Sequence, residues 1–221
     1  MKTILLLLLT VISASTFGQS RILAGHKTYV YATLYADSVN NIFLHDTILF
    51  ITTGIPWKHQ PDLQTTVVWK YLHLIADTSI KKKLRSIGWI HADSTGAIEN
   101  EKKYWIHPPR NNQYSITELA PFPIVGFPCE INKRFSNILY IGEGWGNWSN
   151  IKLKNTYQFT GKESRRAGNL NYDCWIIQSE SDSELGKSYL TTAFNENIGF
   201  MEFNYYFYNK TKIKIELIKI E

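Results

Sequence analysis

The chain has few of the residues from which a compact reactive site is usually assembled. It carries two cysteines, two methionines and six histidines in 221 residues. No two histidines stand two or four positions apart, and no carboxylate–histidine spacing fits zinc, so local sequence offers no metal site and no cofactor. A metal would need ligands from distant strands. None of the serines sits in a Gly-x-Ser-x-Gly elbow. The glycine-rich run Gly142-Glu143-Gly144-Trp145-Gly146 lacks the lysine and the spacing of a phosphate-cradling loop, and it is not a dinucleotide fingerprint. No charge of one sign dominates: the net charge is +5, from 24 basic and 19 acidic residues. The one basic cluster, Lys81-Lys82-Lys83-Leu84-Arg85, reads as a solvated turn rather than a nucleic-acid or membrane footprint. No nucleic-acid partner is expected.

Long apolar runs are absent after the N-terminus, which leaves no transmembrane segment. The N-terminus itself opens with Lys2, a short core from Ile4 to Ile12, and small residues up to Gly18. This is the pattern of a cleaved secretory signal peptide over residues 1–18. No cysteine follows the core, so no lipobox is read. The remainder, 19–221, is expected to be one β-rich domain, exported to the periplasm or beyond the cell. Export makes a Cys129–Cys174 disulfide one reading, worth about 4 kcal/mol in the chain-entropy model. Two separate buried thiols are the other, and sequence does not supply the separation that decides.

What is abundant is aromatic residue: seven Trp, thirteen Tyr and eleven Phe. These favour strands and fill cores. Residues 149–220 read as a β-meander. Ile151, Leu153, Tyr157 and Phe159 alternate with Lys152, Lys154, Thr156 and Gln158, giving one buried and one wet face. Met201, Phe203, Tyr205 and Phe207, and then Ile213, Ile215 and Leu217, repeat the design. An odd-length loop between these last two strands is expected, pairing Phe207 with Ile213 and Phe203 with Leu217. A one-residue slip would set the apolar face of one strand beside the charged face of the other. Asn195-Glu196-Asn197 is a second turn, and Gly161 to Gly168 reads as a longer polar loop. The strand around Cys174 is apolar on both sides and so is expected to be covered on both.

Toward the N-terminus, Lys27–Tyr35 and Ile42–Thr53 read as strands around a turn at 37–41, with Gly54–Pro61 as loop. Thr65–Ile75 is open between strand and helix, and 81–86 is expected to form one helical turn. Asp93-Ser94-Thr95-Gly96 reads as a hairpin turn between strands at 87–91 and 98–107. From 107 to 128 lie five of the seven prolines, which excludes interior sheet. This segment is read as a long crossing loop with a helical turn at Ser115–Leu119, laid over the concave side of the sheet. Asn137–Ile141 resumes as strand.

Two constellations carry chemistry. In Trp105-Ile106-His107-Pro108-Pro109-Arg110 the prolines hold His107 and Arg110 in a fixed relation, with Glu118 further along. A histidine, an arginine and a carboxylate can do acid–base work on an anionic substrate. No nucleophile lies nearby, so the plainer reading is a locked strand end. The second is Gly142–Trp148, whose Trp145 and Trp148 could stack on an apolar or sugar ligand, or simply pack on the core. Trp105 and Trp175 are the other candidate ligand-binding aromatics.

The region Tyr157–Leu217, with its Asp173-Cys174-Trp175, Gly199-Phe200 and Glu216-Leu217, resembles uncharacterised exported bacterial proteins of the lipoprotein-carrier (LolA/LolB-like) superfamily. The signal region, with Gln19 after it, is similar to those of Bacteroidetes proteins. The resemblance implies a curved antiparallel sheet around a covering plug, and it carries over no active-site residue. The expected fold is therefore mainly β: a single curved antiparallel sheet, half-barrel or open barrel, with a Pro-rich crossing loop and at most short helices. Three functions stay open. The first is a non-catalytic protein holding a lipid or other apolar or amphipathic ligand inside the sheet. The second is a hydrolase-type enzyme using His107, Arg110 and Glu118, and the third is a surface interaction domain.

Overall fold

The computed structural model describes residues 22–76, 78–83, 88–143 and 148–221. The expected signal peptide, Arg85 and Trp145 lie outside the described residues. Twelve strands form one antiparallel sheet: β1 (Thr28–Ala36), β2 (Ile42–Pro56), β3 (Thr65–Tyr71), β4 (Ala92–Glu99), β5 (Lys103–Ile106), β6 (Ile124–Gly126), β7 (Arg134–Ile141), β8 (Ile151–Ala167), β9 (Leu170–Ser183), β10 (Gly186–Asn195), β11 (Gly199–Tyr206) and β12 (Lys212–Ile220). Their order is β6-β5-β4-β3-β2-β1-β12-β11-β10-β9-β8-β7, so each strand pairs with its chain successor except β6, whose successor β7 lies at the opposite edge, and the β1–β12 pair ties the two halves together. A six-residue helix, α1 (Thr78–Lys83), holds the lysine cluster.

The sheet curls into a nearly closed barrel. Register shifts in β1–β2, β2–β3, β8–β9, β10–β11 and β12–β1 supply local bend and twist. The free edges β6 and β7 meet at a seam, where Phe135 lies against Gly126 and Lys133 Nζ donates to the Gly126 and Pro128 carbonyls. Period-two patterning places Tyr29, Tyr31, Ile48, Phe50, Val67, Trp69, Leu153, Phe159, Phe203, Tyr205, Ile213 and Ile215 inside, all at most 2% exposed. Their rings interlock, as in Tyr31 with Trp69 and Phe203 and Tyr104 with Phe194 and Phe200.

The proline segment fills this interior. Residues 111–123 are buried without a break, and Asn112–Leu119 form a 3₁₀ helix in which every residue is buried. A chain segment inside a barrel has no ladder to join, so side chains must satisfy its backbone and anchor it. Trp69 Nε1 donates to the His107 carbonyl, and Tyr71 Oη accepts from the Arg110 and Asn111 amides. The Asn112 side chain makes two bonds to the Ile90 backbone while its own backbone sits at φ 54, a left-handed conformation that asparagine tolerates. At the other end of the chain, Glu99 accepts from the Ile22 and Leu23 amides, and both side chains are buried.

Three expectations are corrected. Asp93–Gly96 is not a turn but the middle of β4. Gly96 is there because any Cβ would collide with the Gln64 side chain and the Trp57 ring. The turn falls at Asn100, whose Oδ1 accepts from the Lys102 and Lys103 amides. Gly161–Gly168 is not a loop: residues 161–167 pair with 170–176, past a bulge at Phe159/Gly161, and only Gly168-Asn169 turns. The sequence is polar there because this part of the hairpin leaves the barrel wall as an arm. Its tip reaches across to β12, where the Gly168 amide donates to the Ile218 carbonyl. The last hairpin keeps the expected odd loop but starts it one residue earlier: Phe207 pairs with Thr211 and Phe203 with Ile215. The cysteines, left open between a disulfide and separate thiols, are both free. Cys174 sits under the arm with Sγ 3.4 Å from Met201 Sδ, whereas Cys129 follows β6 at the seam. The β3 segment settles as strand, and β2 runs on to Pro56.

Candidate functional site

The acid–base trio is split. Arg110 Nε donates to Asp93 Oδ2 at 2.8 Å, and Arg110 Nη1 lies 4.0 Å from Glu118 Oε1. The structure therefore joins Arg110 and Glu118, with Asp93 as a partner that sequence reading missed because it sat in a supposed turn. Burial pushes the Glu118 carboxyl from its ordinary 4.5 up to about 8; Arg110 draws it down and Asp93 adds to the rise. His107 goes elsewhere. Its ring sits edge-on to Trp105 and Phe122, at 4.7 and 5.2 Å between centroids. Burial, then the positive charge of Arg110, lowers it to about 3. The pair Arg110–Glu118 is packed between plug and wall, where it holds the plug.

A second buried cluster does the same. Asp46, on the inner face of β2, accepts from Gln113 Nε2 at 2.5 Å and Tyr114 Oη at 2.8 Å, both from the plug. His73 Nδ1 is 2.9 Å from its other oxygen, which also accepts from the Thr47 amide. Since Tyr114 donates to Asp46, Thr33 Oγ1 donates to Tyr114 Oη across 2.6 Å. A carboxylate removed from water is tolerable only with such a set of donors. Burial and the Asp46 charge push the Tyr114 hydroxyl well up.

Among the described residues, the candidate tryptophans Trp105, Trp148 and Trp175 have separate partners. Trp105 stacks over Phe122, Trp148 is buried in the core, and Trp175 donates Nε1 to Glu196 under the Lys162 ammonium.

Two open concavities adjoin on the outer wall. One, of about 630 Å³, spans β7 to β10; the second, of about 490 Å³, spans β10 to β1; Tyr189 lines both. Strand register explains why they are continuous. One row of outward residues crosses seven strands as Ser136, Thr156, Glu180, Tyr189, Tyr206, Lys212 and Ala36. The next row is Arg134, Gln158, Gln178, Thr191, Asn204, Lys214 and Leu34. At about 4.8 Å per strand the trough runs about 29 Å. In the third row Ala193 and Glu202 are buried, and Arg165 of the arm bonds Glu202 at 2.8 Å. The arm thus forms one bank. Asn204 Nδ2 also donates to Glu202, which orients the Asn204 amide. Tyr189 and Tyr206 are direct cross-strand partners, 39% and 37% exposed, with ring centroids 6.2 Å apart. The available signal was an outward tyrosine on each of two adjacent strands, masked in the run Tyr205-Tyr206-Phe207.

Among the described residues no group of three or more His, Cys, Asp or Glu could hold a metal ion. No helix there is long and apolar enough to cross a membrane.

No protein-family model matches the chain, and no curated protein sequence matches it. Solved structures do. The chain is similar to an inferred lipoprotein from Parabacteroides distasonis, with a TM-score of 0.52 at 11% identity over 90% of this chain and 96% of that one. It also aligns with an inferred exported protein of YmcC-like fold from Bacteroides fragilis, at TM-score 0.48 and 9% identity over 89% and 95% of the two chains. A third is the hypothetical lipoprotein YmcC from Escherichia coli, at TM-score 0.41 and 10% identity over 90% of each. None of the three is described as a lipoprotein carrier of the LolA/LolB kind. The first of these likenesses supports a shared fold, a plugged antiparallel sheet, and no more than the fold.

Proposed function

We propose that this protein is an extracytoplasmic, non-catalytic binding protein that takes an amphipathic ligand on its outer trough. One observation carries the reading: the buried charges and the polar wall groups facing residues 110–114 are spent on the barrel's own plug. Asp46, Thr33 and Tyr71 all bond to residues 110–114, and Asp93 holds Arg110. A ligand inside the sheet, the expectation from sequence, would have to displace a segment with buried charge partners, at a cost of several hydrogen bonds. The outer trough needs no such rearrangement. The acid–base trio supports no hydrolase, since His107 packs on rings and Glu118 faces Arg110 within the core. The N-terminal pattern supports export.

The test separates the two faces. Wild type, a Tyr189→Ala, Tyr206→Ala double variant of the outer trough and a Tyr114→Phe variant of the plug are incubated with an extract of the producing cell's envelope and examined by native mass spectrometry. Adducts kept by Tyr114→Phe and lost from the double variant are the expected result. Adducts kept by the double variant and altered by Tyr114→Phe would place the ligand inside.

A further inference from the structure

We infer that the trough is a binding site for a linear oligosaccharide, laid across the strands with sugar faces on Tyr189 and Tyr206. This rests on the binding reading above and names its ligand class. Three observations converge on it.

The first is direction. The trough crosses the strands at right angles, and all of them except β7, the edge strand at one end, are already paired on both sides. An extended peptide gains its affinity by lying parallel to a sheet edge, and a ligand running along the trough lies across the strands, so it joins no ladder. The ligand must be read by side chains alone.

The second is the kind of side chain. The floor presents amides and hydroxyls: Gln158, Gln178, Thr191 and Asn204. Such groups both donate and accept, and they match a ligand that carries hydroxyls along its length. An acyl chain would strand them without partners. Asn204 is held in place by Glu202 from beneath, so one amide is oriented before any ligand arrives.

The third is the aromatic pair. Two exposed rings on neighbouring strands give a flat, amphipathic surface about one strand spacing wide. The axial C–H face of a pyranose packs on such a ring while its hydroxyls point sideways to the amides. The Lys212 ammonium lies 5.5 Å from the Tyr206 centroid, and it donates to Asn40 Oδ1. Glu180 is paired with Lys187, and Glu216 with Lys214, so no carboxylate in the trough stands uncompensated against an acidic sugar.

Isothermal titration of the purified protein with cellohexaose, chitohexaose and hexagalacturonate tests this. Saturable binding of at least one is expected, with preference for the last if Lys212 and Arg134 contribute charge. Tyr189→Ala and Tyr206→Ala should each weaken binding at least ten-fold. Tyr206→Phe should keep most of it, and Tyr140→Ala, outside the trough, should change nothing. Absence of binding by all three probes at millimolar concentration overturns the inference, as does binding indifferent to both alanine variants. If envelope adducts vanish in the Tyr189→Ala, Tyr206→Ala double variant while no saccharide binds, the trough is still a site but its ligand is of another class.

Discussion

Replacing Glu118 by Gln should remove the alkaline sensitivity that this residue gives the protein. Glu118 is fully buried, 4.0 Å from one guanidinium nitrogen of Arg110, and its folded-state carboxyl titrates near 8 against an ordinary 4.5. Between those values the folded chain holds a proton that the unfolded chain has released. Stability contributed by Glu118 is therefore complete below pH 4.5 and is lost as pH rises toward 8. At about 1.4 kcal/mol per pH unit the loss reaches about 5 kcal/mol, a large share of the 5–15 kcal/mol that holds a typical domain folded. His107 acts in the opposite sense. Its folded value near 3 lies below the ordinary 6.5, so its contribution is complete above 6.5 and is lost as pH falls toward 3. From 4.5 to 6.5 the two slopes oppose each other, and wild-type stability should be nearly level there and fall on both sides. Gln mimics the protonated carboxyl, so Glu118→Gln should match wild type at pH 5 and exceed it at pH 8. Urea unfolding of both proteins at pH 5, 6.5 and 8 measures the difference, in which other titrating groups cancel. A variant weaker than wild type at pH 8 would mean that Glu118 is ionised beside Arg110, and the reasoning would be refuted.

Further outcomes follow from the plug, the arm and the thiols. Tyr114→Phe removes the hydroxyl that links Thr33 and Asp46, and should cost about 1–3 kcal/mol, read as a lowered urea midpoint with unchanged slope. Arg165→Ala leaves Glu202 buried without its partner and should lower the melting temperature, with partial rescue by Glu202→Gln in the double variant. Without reductant, both cysteines should be alkylated after unfolding in urea and resist alkylation at pH 8 when folded. Burial pushes their thiols up to about 12 for Cys129 and about 11 for Cys174. A melting temperature that falls on adding dithiothreitol would point instead to a disulfide.

The strands were legible wherever one face is dry and the other wet. Ile151–Phe159 and Ile213–Leu217 alternate cleanly, and both are strands with the expected residues inside. The proline segment was legible as something outside the ladder, for a plain covalent reason: proline has no amide to donate. Sequence reading went astray where polarity had two causes. Asp93-Ser94-Thr95-Gly96 looks like a turn because turns are polar, but these residues line a crowded wall and Asp93 faces an arginine. Lys162–Arg166 looks like a loop, but it is polar because the arm presents one side to water and the other, through Arg165, to a buried glutamate. In both cases the partner lies beyond any local window, 17 residues away for Asp93 and 37 for Arg165. The candidate site was the least visible, since a trough made from seven strands is set by pairing register and has no contiguous sequence of its own.

The plug and the trough are two consequences of one geometry. A twelve-stranded barrel is too wide for facing walls to meet by side chains alone, so its centre needs either water, a ligand or chain. Here the chain supplies thirteen consecutive buried residues, 111–123, and with them come polar side chains that the wall must answer. That requirement explains why Thr33 and Asp46 stand on inner faces among Tyr29, Tyr31, Tyr35, Ile48 and Phe50. It also shifts recognition outward. With the inside committed, what remains for a partner is the outer wall, and there the β8–β9 arm makes the difference between a convex barrel surface and a walled channel. Shortening the arm by deleting residues 164–171 and rejoining the hairpin would therefore flatten the trough while leaving the plug and its bonds to Asp46 untouched.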